Sequence, residues 1–314
     1  MFEETGVRTS LAYGALILLW SATPLAIKWS GEGPGYLFGV TARMSLGLLC
    51  CGLFMLLAHQ ALPINRKALK AYGASSIQVY GSMLATYWGA QHIPSGWVSV
   101  MFGLTPLITA PMAAWWLGER SLTPSRMLSY LLGIAGLIIV FHSALSFSVT
   151  AVWGISAVLL ASFLQALSSV WVKHINAPLP AMTLVTGGLT LSVPLYFVTW
   201  IALDGHWPDE WPLVSTGSIL FLGIIATPIG FALYYFILNR LAASRVALIT
   251  LVTPVLSLLL GNLANGEALH DGVIQGAALI LGALMLHNSS PDRPPRTGHR
   301  QTRRSRRVKR SRRN

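Results

Sequence analysis

Two cations stand apart from the rest of the charge in this sequence. Lys28 and Arg43 fall inside long apolar runs, whereas every other Lys and Arg lies in a short polar link or near the termini. A charge at such depth in a bilayer costs several kcal/mol unless a partner or a wet cavity receives it. Arg43 sits about seven residues, or ~10 Å, into its run. Structural pairing and contact with an anion or a gate are both open for it. Lys28 lies near the end of its run, where it can snorkel to the interface, pair with Glu32, or touch a solute. Lys28, Glu32 and Arg43 are therefore the gate or ion-pair candidates.

No Asp, Glu or His stands near the middle of any apolar run. The usual carrier of a coupled proton is thus missing from the membrane interior, and so is a carboxylate for a strongly cationic solute. What remains is neutral and polar. One run holds Gln78, Tyr80, Thr86, Tyr87 and Gln91, and another holds Thr227, Tyr234 and Tyr235. Tyr80, Tyr87 and Gln91 recur at i, i+7 and i+11, which is one helical face. Such a face can line a cavity for a zwitterionic or aromatic solute, or it can serve interfacial anchoring and interhelical hydrogen bonds. Trp20 and Ser21 in the first run correspond to Gln165 and Ser169 in a later one. Gln165 is mid-run and requires a partner away from lipid, either a solute or a neighbouring helix. The substrate-cavity candidates are Trp20, Ser21, Arg43, Gln78, Tyr80, Tyr87, Gln165, Ser169, Tyr234 and Tyr235.

Enzyme chemistry finds no support. There is no His-Glu-x-x-His, no phosphate-binding loop and no pair of acids at depth to hold a metal, so neither metal nor cofactor is expected. Adjacent Cys50 and Cys51 are poor disulfide partners and read as small apolar residues.

The elements that must position these residues follow from composition. Of the 314 residues, 54% are hydrophobic and 10% charged, against roughly a quarter charged in soluble domains. About twenty apolar residues cross a bilayer core. Runs of that kind occur at Leu11–Trp29, Tyr36–Ala58, Lys70–Gln91, Gly96–Leu117, Met127–Ala144, Thr150–Val172, Ala181–Leu203, Leu213–Leu238, Ser244–Asn265 and Gly272–His287. The first reads as a span rather than a cleavable signal. The fold class is all-α integral membrane, with ten transmembrane helices. Alternation of sides places every cation except Lys28 and Arg43 on one side. Opposite them lie Asp204, Asp209, Glu210, Glu267 and Asp271 with no Lys or Arg. The positive-inside rule then makes both termini cytoplasmic.

The sequence repeats itself at an offset of 148. Thr86-Tyr87-Trp88 faces Tyr234-Tyr235-Phe236, Leu104-Thr105-Pro106-Leu107 faces Val252-Thr253-Pro254-Val255, and Gly118-Glu119 faces Gly266-Glu267. Five spans per half make the second half inverted, an arrangement that secondary transporters use for alternating access around a midplane site. The expected units are 1–10, a cytoplasmic N-terminus; 11–145, a first five-helix repeat; 146–288, a second and inverted one; and 289–314, a disordered cytoplasmic tail. Prolines inside spans free a carbonyl and bend the helix, which makes Pro24, Pro106, Pro228 and Pro254 hinge candidates.

Thr-Pro followed by a long apolar stretch and Gly-Glu, present twice, resembles the EamA family of the drug/metabolite transporter superfamily. Leu19-Trp20-Ser21 with Lys28, Ala42-Arg43, Gly276 and Gly282 match it too. The resemblance covers residues 11–288 and implies a secondary transporter exporting a small metabolite or amino acid, in a bacterial inner membrane. A non-transporting scaffold or lipid-binding protein is the alternative. The expected partners are a small-molecule solute and the lipid bilayer. The basic tail should hold anionic lipids, and with no aromatic or folded module beside it nucleic acid is not expected.

Overall fold

The computed structural model describes residues 2–118, 124–241, 246, 249 and 252–288. Glu119, Arg120, Arg245 and the basic tail lie outside them. In hydrocarbon every backbone N–H and C=O must find a partner within its own segment, and the apolar runs accordingly fold as helices. These are α1 (Phe2–Gly31), α2 (Tyr36–Leu57), α3 (Arg66–Ser76), α4 (Met83–Ala90), α5 (Ser95–Phe102), α6 (Thr105–Leu117), α7 (Pro124–Phe147), α8 (Val149–Ile175), α9 (Ala181–Leu203), α10 (Leu213–Leu220), α11 (Phe231–Leu238), α12 (Thr253–Asn265) and α13 (Asp271–Asn288). Among the described residues no strand occurs.

Among the described residues, six stretches of 22 to 27 residues are long and apolar enough to cross a membrane: Thr9–Gly31, Tyr36–Leu57, Ser95–Leu117, Val149–Ile175, Ala181–Leu203 and Leu213–Leu238. At 1.5 Å per residue they exceed a ~30 Å core. Met127–Ser143 and Asp271–Leu286 are apolar but shorter. Leu53, Leu56, Val198, Ile201 and Leu213 are exposed, while Arg43, Ser75, Gln78, Thr86, Gln165 and Thr227 are buried. This is the polarity of a protein whose solvent is lipid. Chain and fold identify an integral membrane protein.

Two wide π turns interrupt the helical rods. Ile77–Ser82 joins α3 to α4, and Phe221–Gly230 joins α10 to α11. The second contains Pro228, which has no N–H to give to an i−4 carbonyl, and the wider turn absorbs that loss. The first has no proline. Its Val79 and Tyr80 carbonyls instead accept from the Tyr196 hydroxyl of α9, at 2.7 and 3.1 Å. Element boundaries recur at the offset read in the sequence: α4 and α11 start 148 residues apart, and so do α6 and α12. Both α6 and α12 end at a left-handed glycine, Gly118 and Gly266 (φ 67° and 61°), a conformation that costs a residue with a side chain.

The two halves interleave rather than sit side by side. α2 packs on α9 and the second π turn, α8 packs on α3, α4 and α6, and α13 packs along α7. α7 and α13 cross at Gly136 and Gly276, where a Cβ on either residue would lie 2.7 Å from the other's carbonyl. The fold thus brings polar residues from distant runs to one central point.

Candidate functional site

α1, α2, α4, α5, α8, α11, α12 and the two π turns meet around a cavity of about 60 Å³, room for roughly four waters. Its polar wall is Trp20, Thr23, Arg43, Gln78, Thr86, Ser99, Gln165 and Thr253, and its apolar wall includes Ile27, Met83, Val98, Phe102 and Phe231. No carboxylate lines it among the described residues.

Among the described residues Arg43 is the one charged residue of that wall, and it is only 3% exposed. Its position follows from a tight crossing of α2 over the second π turn. A Cβ at Gly47 would fall 2.6 Å from Thr227 Cγ2, and one at Gly223 would fall 2.7 Å from Leu46 Cβ. The bare backbones let Arg43 Nε donate to Thr227 Oγ1 at 2.9 Å. The guanidinium carbon lies 5.9 Å from the Tyr87 ring centroid, within cation–π range. Among the described residues Arg43 Nη1 has no hydrogen-bond partner, and neither has Gln78 Nε2. Two buried donors without acceptors, both on one cavity wall, are rare in a finished structure.

Beyond the cavity, α3, α8 and α11 run on toward a second, polar pocket of about 260 Å³ lined by Ala71, Lys173, Asn176 and Asn239. The residues between the two spaces form a plug. Ser75 Oγ and the Tyr235 hydroxyl are 2.8 Å apart, Ser168 Oγ donates to the Ala74 carbonyl at 2.7 Å, and the Tyr235 hydroxyl reaches Gln78 Oε1 at 3.4 Å.

The opposite end is closed by charge. Lys28 Nζ and Glu267 Oε1 are 3.5 Å apart. Glu267 also accepts from Ser95 N at 3.0 Å, Ser95 Oγ at 2.9 Å, Gly96 N at 3.4 Å and Asn265 Nδ2 at 3.0 Å. Trp29 Nε1 donates to Asn265 Oδ1 at 3.0 Å. The clamp ties the end of α1 to the start of α5 and the end of α12. Burial pushes the Glu267 carboxyl upward, but the Ser95 backbone N–H, the Asn265 amide, Lys28 and the Ser95 hydroxyl outweigh it, so its pKa lies below the ordinary carboxylate value.

Of the residues singled out in the sequence, Trp20, Arg43, Gln78 and Gln165 line the cavity together, as does Pro24. The others do not. Ser21 donates to the Ile17 carbonyl, and its own carbonyl accepts from Ser257. Tyr80 leaves the expected shared face: it bonds Thr199 at 2.7 Å and packs on Tyr196. The π turn at Ile77–Ser82 breaks the 3.6-residue phase that put Tyr80 and Tyr87 in line. Tyr87 is fully buried beside Arg43 and Ser30. Ser169 bonds back to Ala166, Tyr234 packs on Trp20 with ring centroids 5.3 Å apart, and Tyr235 forms the plug. Lys28 pairs with Glu267 and not with Glu32. The Glu32 backbone carbonyl instead accepts from Ser215 Oγ, and Glu32 makes no ion pair among the described residues. Pro106 and Pro254 occupy the first turns of α6 and α12 rather than bending a helix from within. Before Pro106 the rod is broken between Phe102 and Thr105. Sequence reasoning missed Ser99 and Thr253 as wall residues and Glu267 as a clamp. The repeated Gly-Glu was the available signal, but it reads as a link ending.

The profile of the EamA-like transporter family matches the chain twice, over residues 10–142 and 152–289. An uncharacterized transporter of Archaeoglobus fulgidus is 26% identical over 266 residues, 84% of this chain and 93% of that protein. A "probable amino-acid metabolite efflux pump" of Escherichia coli is 28% identical over 62% of this chain and 68% of its own length. A solved crystal structure shares the fold, with a TM-score of 0.65 at 23% identity over 89% of this chain and 97% of that one. The chain is a membrane transporter that belongs to the EamA-like transporter family.

Proposed function

We propose that this transporter exports a small metabolite or amino acid by alternating access between two inverted five-helix units, residues 11–145 and 146–288. The observation that carries the reading is the central cavity: helices of both units wall it, two of its wall residues hold buried donors without acceptors, and a different contact spans each end. A midplane site between repeats is where such transporters bind. The 148-residue recurrence of element boundaries and the double family match support the two units. Opening the Lys28–Glu267 clamp with the Tyr235 plug closed would expose the cavity to one side; the reverse would expose it to the other. The efflux-pump name of a relative favours export. The chain would sit in a bacterial inner membrane with both termini cytoplasmic, as its one-sided cations indicate, and its basic tail would rest on anionic lipid.

Gln165→Leu tests the reading. The substitution keeps side-chain bulk and removes the amide from the cavity wall. In sealed vesicles containing the purified protein, flux of any solute that the parent carries should fall at least tenfold with insertion unchanged. Undiminished flux rejects the central cavity as the route, and no flux by the parent for any of a broad solute panel favours a non-transporting scaffold.

A further inference from the structure

We infer that the central cavity selects a small monovalent carboxylate, held by Arg43, over amino acids and neutral solutes. The inference rests on the transport reading above and narrows its substrate. Arg43 is 3% exposed and lines the cavity. It forms no ion pair among the described residues, and its Nη1 has no acceptor. A buried guanidinium without a counter-charge is strongly unfavourable, and a carboxylate bound to it through paired N–H groups removes that penalty. Gln78, on the same wall, holds a second buried donor without a partner, Nε2, so the unsatisfied buried groups of that wall are donors. It is built to receive oxygen lone pairs.

The rest of the wall sets the other limits. One guanidinium neutralises one charge, and Lys28 is engaged by Glu267; a dianion such as a phosphate monoester would bring an uncompensated charge into low dielectric. An amino acid would carry its ammonium into a wall that has no carboxylate among the described residues. Ile27, Met83, Val98, Phe102 and Phe231 offer apolar area to a short aliphatic or aromatic body. A compact acid without an amino group satisfies all three conditions.

The charge also supplies a driving force. No Asp or Glu lies inside an apolar run to carry a coupled proton. A monoanion leaving an inside-negative cell needs none, since 100 mV sustains about a fiftyfold outward gradient at equilibrium.

The test is ligand-dependent thermal stability of the purified full-length protein at constant ionic strength. The probes are acetate, isovalerate and benzoate, each against its amide, with leucine as the zwitterion related to isovalerate. Ligands that bind only the folded state raise the midpoint. The expected result is a higher midpoint with at least one carboxylate than with its amide or with leucine. Arg43→Gln should weaken that carboxylate about a hundredfold, while Arg43→Lys, which keeps the charge, should retain the preference in weaker form. Should Arg43→Gln not fold, the parent's preference and the Arg43→Lys result still decide. Equal response to acids and amides across the panel, stronger response to leucine than to isovalerate, or a preference that survives Arg43→Gln overturns the inference. Flux of a neutral or zwitterionic solute without carboxylate preference would leave the transporter reading standing and remove only this one. Carboxylate stabilisation without flux of any solute would do the reverse.

Discussion

The two ends of the cavity are closed by different chemistry. One carries a charged clamp, Lys28 and Glu267 with Ser95, Gly96 and Asn265 around the carboxylate. The other carries a neutral plug in which Tyr235, Ser75 and Gln78 share hydroxyl and amide contacts. Charge-assisted hydrogen bonds are about twice as strong as neutral ones, and a neutral bond contributes a net ~1 kcal/mol. The clamp therefore holds its end shut more firmly than the plug does. Under the proposed alternating access, this asymmetry biases the resting molecule toward opening at the Tyr235 end. That end leads to the pocket lined by Lys173, Asn176 and Asn239, which lies on the cytoplasmic side in the proposed orientation.

The largest expected effect is at the clamp. Glu267→Gln removes the charge but keeps the shape, and should cost the closed state about 2–3 kcal/mol, roughly thirty- to 150-fold in the gate equilibrium. With Cys50 and Cys51 replaced, a cysteine introduced at Ser99 should then react correspondingly faster with an impermeant thiol reagent added outside. An unchanged rate would remove the clamp from the account. Tyr235→Phe takes away the hydroxyl shared by Ser75 and, at longer range, Gln78, about 1 kcal/mol or fivefold since the second contact is long, and should speed labelling from the cytoplasmic side only. Acceleration from both sides would show that the plug is not a one-sided barrier.

Acid sharpens the comparison further. Because the folded pKa of Glu267 lies below its ordinary value of 4.5, the stabilisation that it contributes is fully present above that value and is lost as pH falls through the folded value. Closure at the clamp should hold constant from pH 8 to about 5 and weaken only below the ordinary carboxylate range, with the Tyr235 end indifferent throughout. Labelling at Ser99→Cys across external pH measures this, and a midpoint near neutrality would contradict the assignment. The smallest effect belongs to Glu32→Gln. Its backbone N–H donates to the Trp29 carbonyl and its carbonyl accepts from Ser215, and the substitution touches neither, so stability should change by less than about 0.5 kcal/mol and labelling not at all.

Much of the architecture was legible in the sequence because hydrocarbon leaves the backbone few options. Apolar runs from Leu11 onward became helices, and the offset of 148 reappears in helix boundaries down to Met83 and Phe231. Arg43, Gln78, Trp20 and Gln165 were recognisable as a group since polar atoms at depth must face one another or a wet space. The tyrosines were not. A periodic face assumes an unbroken 3.6-residue helix, and the π turn before Met83 swings Tyr80 toward Tyr196 while Tyr87 stays beside Arg43. Nor could the clamp be foreseen: Lys28 and Glu32 are neighbours in sequence, whereas Glu267 reaches Lys28 only because α12 packs against α1.

Alternating access requires a single cavity reached from either side in turn. A cysteine at Gln165 can be probed with impermeant reagent from each side of oriented vesicles. Labelling from both sides is expected, with Glu267→Gln raising the outside rate and lowering the inside rate and Tyr235→Phe doing the opposite. Labelling from neither side in any variant, or both rates rising together, would contradict it.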